Sequence, residues 1–184
     1  MKTSGFRAGG FALMMAAQLA VPTWMIVSQE RILATGEVFK FRTMPVDPYD
    51  AFRGRYVSVR IEQDSARTPA GANWTRDQEV FAAIVTETNG FSRLGELSAT
   101  RPNGAPYLTV RVNYVVGQTA YIRTPLDRFY VEETLAPAAE KAYREHSRGN
   151  NRTAYITVRI RDGNGAIENL WIDNVPIREF LARK

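Results

Sequence analysis

From Ala8 to Val27 the chain carries no charge, reading AGGFALMMAAQLAVPTWMIV over twenty residues. A helix of that length rises about 30 Å, close to the hydrocarbon thickness of a bilayer. Beyond it the pattern changes to alternation of apolar and polar positions, the signature of half-buried strands. Strands are expected at Glu37–Thr43, Tyr56–Glu62, Gln78–Thr88, Gly90–Ala99, Tyr107–Val116, Thr119–Arg123, Thr153–Arg161 and Gly165–Asp173. Asn89-Gly90 and Asp162-Gly163-Asn164-Gly165 are hairpin turn signals between neighbouring strands. Ser65–Ala72 reads as a polar loop with Pro69 and Gly71. Val131, Leu135, Ala138/Ala139, Ala142 and Tyr143 recur every three to four residues and predict one amphipathic helix ending near Arg148-Gly149.

The expected architecture is mainly β (α+β). An N-terminal transmembrane helix precedes one β-rich domain of about seven or eight mostly antiparallel strands, a small barrel or sandwich, with one amphipathic helix. Residues 1–30 form a cytoplasmic stub and anchor, and residues 31–184 the domain. Lys2 and Arg7 precede the apolar run, whereas Glu30 and Arg31 cancel behind it. The positive-inside rule therefore places the N-terminus in the cytoplasm and the domain in the periplasm, held by a single pass through the inner membrane. Trp24 suits the interfacial aromatic belt. A cleaved signal peptide would need a small-x-small site after the run, and cutting after Ala20 would put Gln18 at the −3 position. Retention as an anchor is the reading adopted. Gln18 and Pro22, a polar group and a helix breaker inside lipid, are easier to accommodate against another helix. These three residues, Gln18, Pro22 and Trp24, are the expected membrane contacts.

Charge and composition remove several function classes. There are 24 basic and 19 acidic residues, a net charge of +5, and these are scattered without a dense run. No nucleic-acid partner is expected from that distribution. The chain has no cysteine, which excludes disulfides, thiol nucleophiles, thiolate metal sites and a lipidated cysteine anchor. It has one histidine, His146, expected exposed at the polar end of the helix, so no site needing two imidazoles can be built. No metal, cofactor or small-molecule substrate is identifiable.

Two stretches carry a resemblance. Pro45-Val46-Asp47-Pro48-Tyr49-Asp50-Ala51-Phe52-Arg53-Gly54-Arg55-Tyr56 is similar to the run P-x-D-P-x-D-x-F-R-G-D-Y. Arg128-Phe129-Tyr130-Val131-Glu132-Glu133, followed by Glu140 and Tyr143, is similar to R-Y-F-V-P-E … E. With Leu33-Ala34-Thr35-Gly36 and the closing Asn169-Leu170-Trp171-Ile172-Asp173, the chain resembles the GDYXXLXY family of membrane-anchored bacterial proteins. Arg55 stands where that family has aspartate and Val59 where it has leucine, and Ile61 falls beside the expected tyrosine; Gly54 and Tyr56 are kept. The resemblance implies no enzyme activity. Members are often encoded beside a multi-pass membrane protein, which implies an assembly partner.

The candidate chemistry is sparse. Asp47, Asp50, Arg53 and Arg55 could bind a cation or an anionic group. The plainer alternative is a structural loop in which the aspartates cap turns. Gly54 before Tyr56 suits a close backbone approach. Arg128, Tyr130, Glu132 and Glu133 form a second segment, and Arg128 with Glu132, Glu133 and Glu140 could hold paired carboxylates for acid–base work, though carboxylates are also favourable in a helix's first turn. Met44-Pro45 through Arg53-Gly54-Arg55-Tyr56-Val57 resembles the S-x-P … R-G-D-x-V run of signal-peptidase-like serine proteases, with Thr43 near the serine position. That chemistry needs a lysine base, and after Arg53 only Lys141 and Lys184 remain. The expectation is a non-enzymatic, membrane-anchored accessory subunit assembling with a multi-pass membrane protein. A peptidase-like relic and an ion-binding module are the alternatives.

Overall fold

The structure, a computed structural model, describes residues 3–44, 56–149 and 152–183; within α1 the side chains described are Phe11 and those from Met14 onward. The first element is α1, Thr3–Thr35, one helix that continues through Pro22. The strands β1 (Glu37–Met44), β2 (Tyr56–Ser58), β3 (Arg60–Ile61), β4 (Ser65–Arg67), β5 (Glu79–Thr86), β6 (Ser92–Ser98), β7 (Tyr107–Val116), β8 (Thr119–Arg123) and β9 (Arg128–Tyr130) follow. After α2 (Ala136–Ser147) come β10 (Tyr155–Arg161), β11 (Asn164–Ile172), β12 (Val175–Pro176) and the short α3 (Ile177–Ala182).

Every strand pairing is antiparallel, and the described domain is β-rich with three sheets. One sheet runs β12-β11-β10-β1-β3, a second β4-β8-β7-β5-β6, and β2-β9 form a two-stranded ribbon. Alternation decides which face is buried. Phe39, Phe41 and Thr43 of β1 point inward between the exposed Lys40 and Arg42. They meet Ile156, Val158, Leu170 and Ile172 of the same sheet and Val80, Ala82, Leu108 and Val110 of the other, in one continuous core.

The second sheet curls until β4 and β6 lie side by side as a nearly closed barrel. A side chain bridges its seam. Gln63 Nε2 donates to the Leu94 carbonyl at 2.6 Å, and the Leu94 N–H donates to Gln63 Oε1 at 2.8 Å. The primary amide thus pairs with a backbone residue as another strand would. Gln63→Ala leaves a half-buried N–H and C=O unmatched, a loss of about 2 kcal/mol. We expect the urea midpoint to fall with an unchanged slope; an unmoved midpoint would mean that the seam is held by other contacts.

Several expectations need correction. The alternating run Tyr56–Glu62 is two strands, because the chain leaves β9 at Val59 and pairs with β1 from Arg60. The expected loop Ser65–Ala72 begins with β4, which pairs with β8. The helix starts at Ala136, not Val131, with Pro137 in its first turn, where a missing N–H costs nothing. β12 and α3 were not foreseen, and the strand total among the described residues is twelve, above the seven or eight expected.

The anchor also differs from expectation. Among the described residues, no helix is long and apolar enough to cross a membrane. Gln18, Pro22 and Thr23 thin the apolar run. What α1 does present is apolar surface on all sides: from Met15 at 44% to Trp24 at 71%, its large apolar side chains stand exposed. The helix meets the domain through its last turns, against β10 and β11, where Ile32 is buried.

Candidate functional site

Asp47, Asp50, Arg53, Gly54 and Arg55 lie outside the described residues. Tyr56 is described, and its strand shows what the two family-like segments have in common. β2 pairs with β9 in the register Tyr56↔Tyr130, Val57↔Phe129 and Ser58↔Arg128. The rings of Tyr56 and Tyr130 meet edge to face at 6.0 Å, and the Arg128 guanidinium lies 5.3 Å from the Tyr56 ring centre. Val57 and Phe129 are buried beneath. Glu132 and Glu133 are exposed on the approach to α2, and the Glu132 carbonyl accepts from the N–H groups of Leu135 and Ala136. Glu132 therefore contributes its backbone to the start of the helix.

Beside this ribbon opens a cleft of about 510 Å³, within the roughly 300–1,000 Å³ typical of ligand pockets. Two backbone hydrogen bonds join residues of its lining: Val59 N–H to the Asp127 carbonyl at 3.0 Å, and Ile122 N–H to the Asp64 carbonyl at 2.8 Å. Between them the segments 59–64 and 122–127 part, because β3 turns away to pair with β1. Tyr114 and Tyr121 stack at 4.4 Å on one wall, nearly parallel. Arg60, Arg123 and Arg128 line the cleft with Asp64 and Asp127. Arg128 pairs with Asp127 at 3.7 Å and Arg123 pairs with Asp77.

The other candidates have structural employment. Thr43 is 1% exposed and donates to the Ala154 carbonyl at 3.0 Å. Next to it the Tyr143 hydroxyl donates to the Met44 carbonyl at 2.7 Å. Burial pushes the Tyr143 phenol up from its ordinary value, which keeps it a protonated donor. Lys141 is exposed on α2. His146, expected exposed, is half-buried. Its Nδ1 lies 3.1 Å from the Thr153 hydroxyl and 3.6 Å from the Asp173 carboxylate, and its ring stands edge-on to Phe180. It ties α2 to the turn after β11. Glu140 pairs with Arg144 one helical turn along. Among the described residues no cluster of His, Cys, Asp and Glu could hold a metal.

Sequence reasoning missed the cleft. Arg60, Tyr114 and Tyr121 are ordinary outward positions of alternating strands, and only the available signal of tyrosine and arginine at such positions sets them apart.

These elements define a β-domain of one nearly closed barrel and one open sheet, preceded by a 33-residue helix and opened by a tyrosine- and arginine-lined cleft. The chain belongs to the GDYXXLXY protein family, whose model matches residues 18–170. No curated protein and no solved structure matches it. The family's pattern gains a physical reading here. Val59, at the leucine place, and Ile61, beside the final tyrosine place, are each 2% exposed and belong to the core. Tyr56, which keeps the pattern, points the other way and lines the cleft.

Proposed function

We propose that this chain is a non-enzymatic accessory subunit held at the inner membrane, its β-domain in the periplasm, that assembles with a multi-pass membrane protein. The observation that carries this reading is α1. A helix on the surface of a water-soluble domain has a polar face; one that is apolar all round belongs in an apolar environment. Phe11, Met14, Leu19, Val21, Trp24 and Ile26 are exposed on it, and nothing among the described residues covers them. Gln18 and Pro22 make it a poor solitary span but suit packing against helices of a partner, where polar groups and broken backbone bonds can be satisfied. The buried, backbone-bonded Thr43 lends nothing to the peptidase-like alternative.

The test is extraction. Native membranes washed in alkaline carbonate should retain the protein. Met15→Asp with Leu19→Asp should release it, since each aspartate near a helix centre costs about 3 kcal/mol in lipid. Wild-type protein in the wash would overturn the membrane reading. Recovery from mild detergent as a lone 20.7 kDa chain would overturn the subunit reading.

A further inference from the structure

Outside α1, five large apolar side chains stand exposed among the described residues: Val38, Val85, Tyr114, Val116 and Tyr130. One of them lines the cleft and two lie next to it. Tyr114 is in its wall, Val116 lies two positions along on the same face of β7, and Tyr130 packs on Tyr56 at the rim. Exposed tyrosines interleaved with arginines are the composition of protein–protein hot spots, and they are uncommon on a surface with nothing to bind. The cleft also has a specific vacancy in its charge pattern. Arg123 and Arg128 are matched by Asp77 and Asp127, whereas Arg60, exposed, has no carboxylate partner among the described residues. Asp64, which also lines the cleft, would repel a second negative charge.

We propose that this cleft docks an extended segment of the membrane partner, with one aspartate or glutamate carboxylate on Arg60 and the flanking residues against Tyr114, Tyr121 and Tyr56. The inference rests on the accessory-subunit reading and names where and how the contact outside the membrane is made. Arginine holds a carboxylate through two parallel hydrogen bonds, and the tyrosines supply rigid apolar area at small entropic cost. The parting of the segments 59–64 and 122–127 leaves room for side chains that an unbroken ladder would exclude.

The experiment uses the full chain in native membranes, with a photo-cross-linking amino acid in place of either Tyr114 or Trp24. Irradiation should join both positions to the same multi-pass protein. The adduct at position 114 should map to a segment outside the membrane containing Asp or Glu. Arg60→Glu should lower the yield at position 114 at least tenfold and leave the yield at position 24 unchanged, which also reports that the variant is folded and assembled. Reversing the mapped partner acid to lysine should restore it. An adduct at position 24 without one at 114 would overturn the cleft proposal and leave the subunit reading standing. Loss of both adducts in the wild-type chain would remove the two together. An adduct at 114 that ignores Arg60→Glu, or that maps to a polysaccharide or a second copy of this chain, would also overturn the proposal.

Discussion

Gly163→Ala is expected to destabilise the domain by about 3 kcal/mol, against about 1 kcal/mol for Gly104→Ala. Both glycines have a left-handed backbone, with φ of 79° and 73°. The strain of giving an L-residue that conformation is therefore common to them. Their surroundings differ. A Cβ at Gly104 meets nothing within 4 Å, whereas at Gly163 it would stand 2.4 Å from Tyr107 Cε2 and 2.5 Å from Thr109 Oγ1. Gly163 ends the two-residue turn between β10 and β11, and its carbonyl accepts from the Thr109 N–H at 2.8 Å. That bond, beside the parallel bridge Leu108↔Gly163, ties the open sheet to the barrel. Tyr107 and Thr109 must swing aside, or the turn must lift and release the tie. Urea unfolding of both variants in detergent separates the contributions. Equal losses would show that backbone strain alone governs, and that the two sheets are not coupled through this turn.

The same turn marks how far the fold was legible in the sequence. Asp162-Gly163 and Asn89-Gly90 announce hairpins because a residue with positive φ is a local requirement, readable from two letters. The alternation in β1, β5, β7 and β10 was equally local. What escaped depends on partners distant in the chain. Nothing in Tyr56-Val57-Ser58-Val59-Arg60-Ile61 records that pairing passes from β9 to β1 at Val59, since the inward and outward order continues unbroken across the switch. β4 is three residues of Ser-Ala-Arg, with no β-forming side chain to declare it. Gln63 reads as a polar loop residue until Leu94 is seen facing its amide. The cleft falls under the same limit. It exists because segments near residues 60 and 125 part between two backbone bonds, and its tyrosines come from β2, β7 and β8. The two family-like segments could be recognised separately; that they are paired strands could not.

Gly36→Ala is expected to cost about 3 kcal/mol and to loosen the hold of the domain on α1. A Cβ at this position would lie 2.6 Å from the Ile32 carbonyl oxygen and 3.0 Å from the Ile160 nitrogen. Both are backbone atoms, so no rotamer change relieves the contact, and the helix end must move away from β10. The movement would strain the links that close the junction. Gly36 N–H donates to Ile32 O at 2.8 Å, Arg159 Nη1 donates to Gly36 O at 3.1 Å, and Arg161 donates to the Thr35 hydroxyl. No linker separates helix from sheet, as β1 begins one residue after Gly36. The direction of α1 therefore sets the direction of the domain, and in the proposed assembly it sets where the cleft stands relative to the partner. Spin labels at Met25 and Glu168 should give one narrow distance distribution in the wild-type chain and a broad one after Gly36→Ala. Arg159→Ala, which removes one tie without the clash, should broaden it less. A distribution that stays narrow in the glycine variant would mean that the helix is oriented by its surroundings, and that the cleft's position relative to the partner is set by the membrane assembly instead of by this junction.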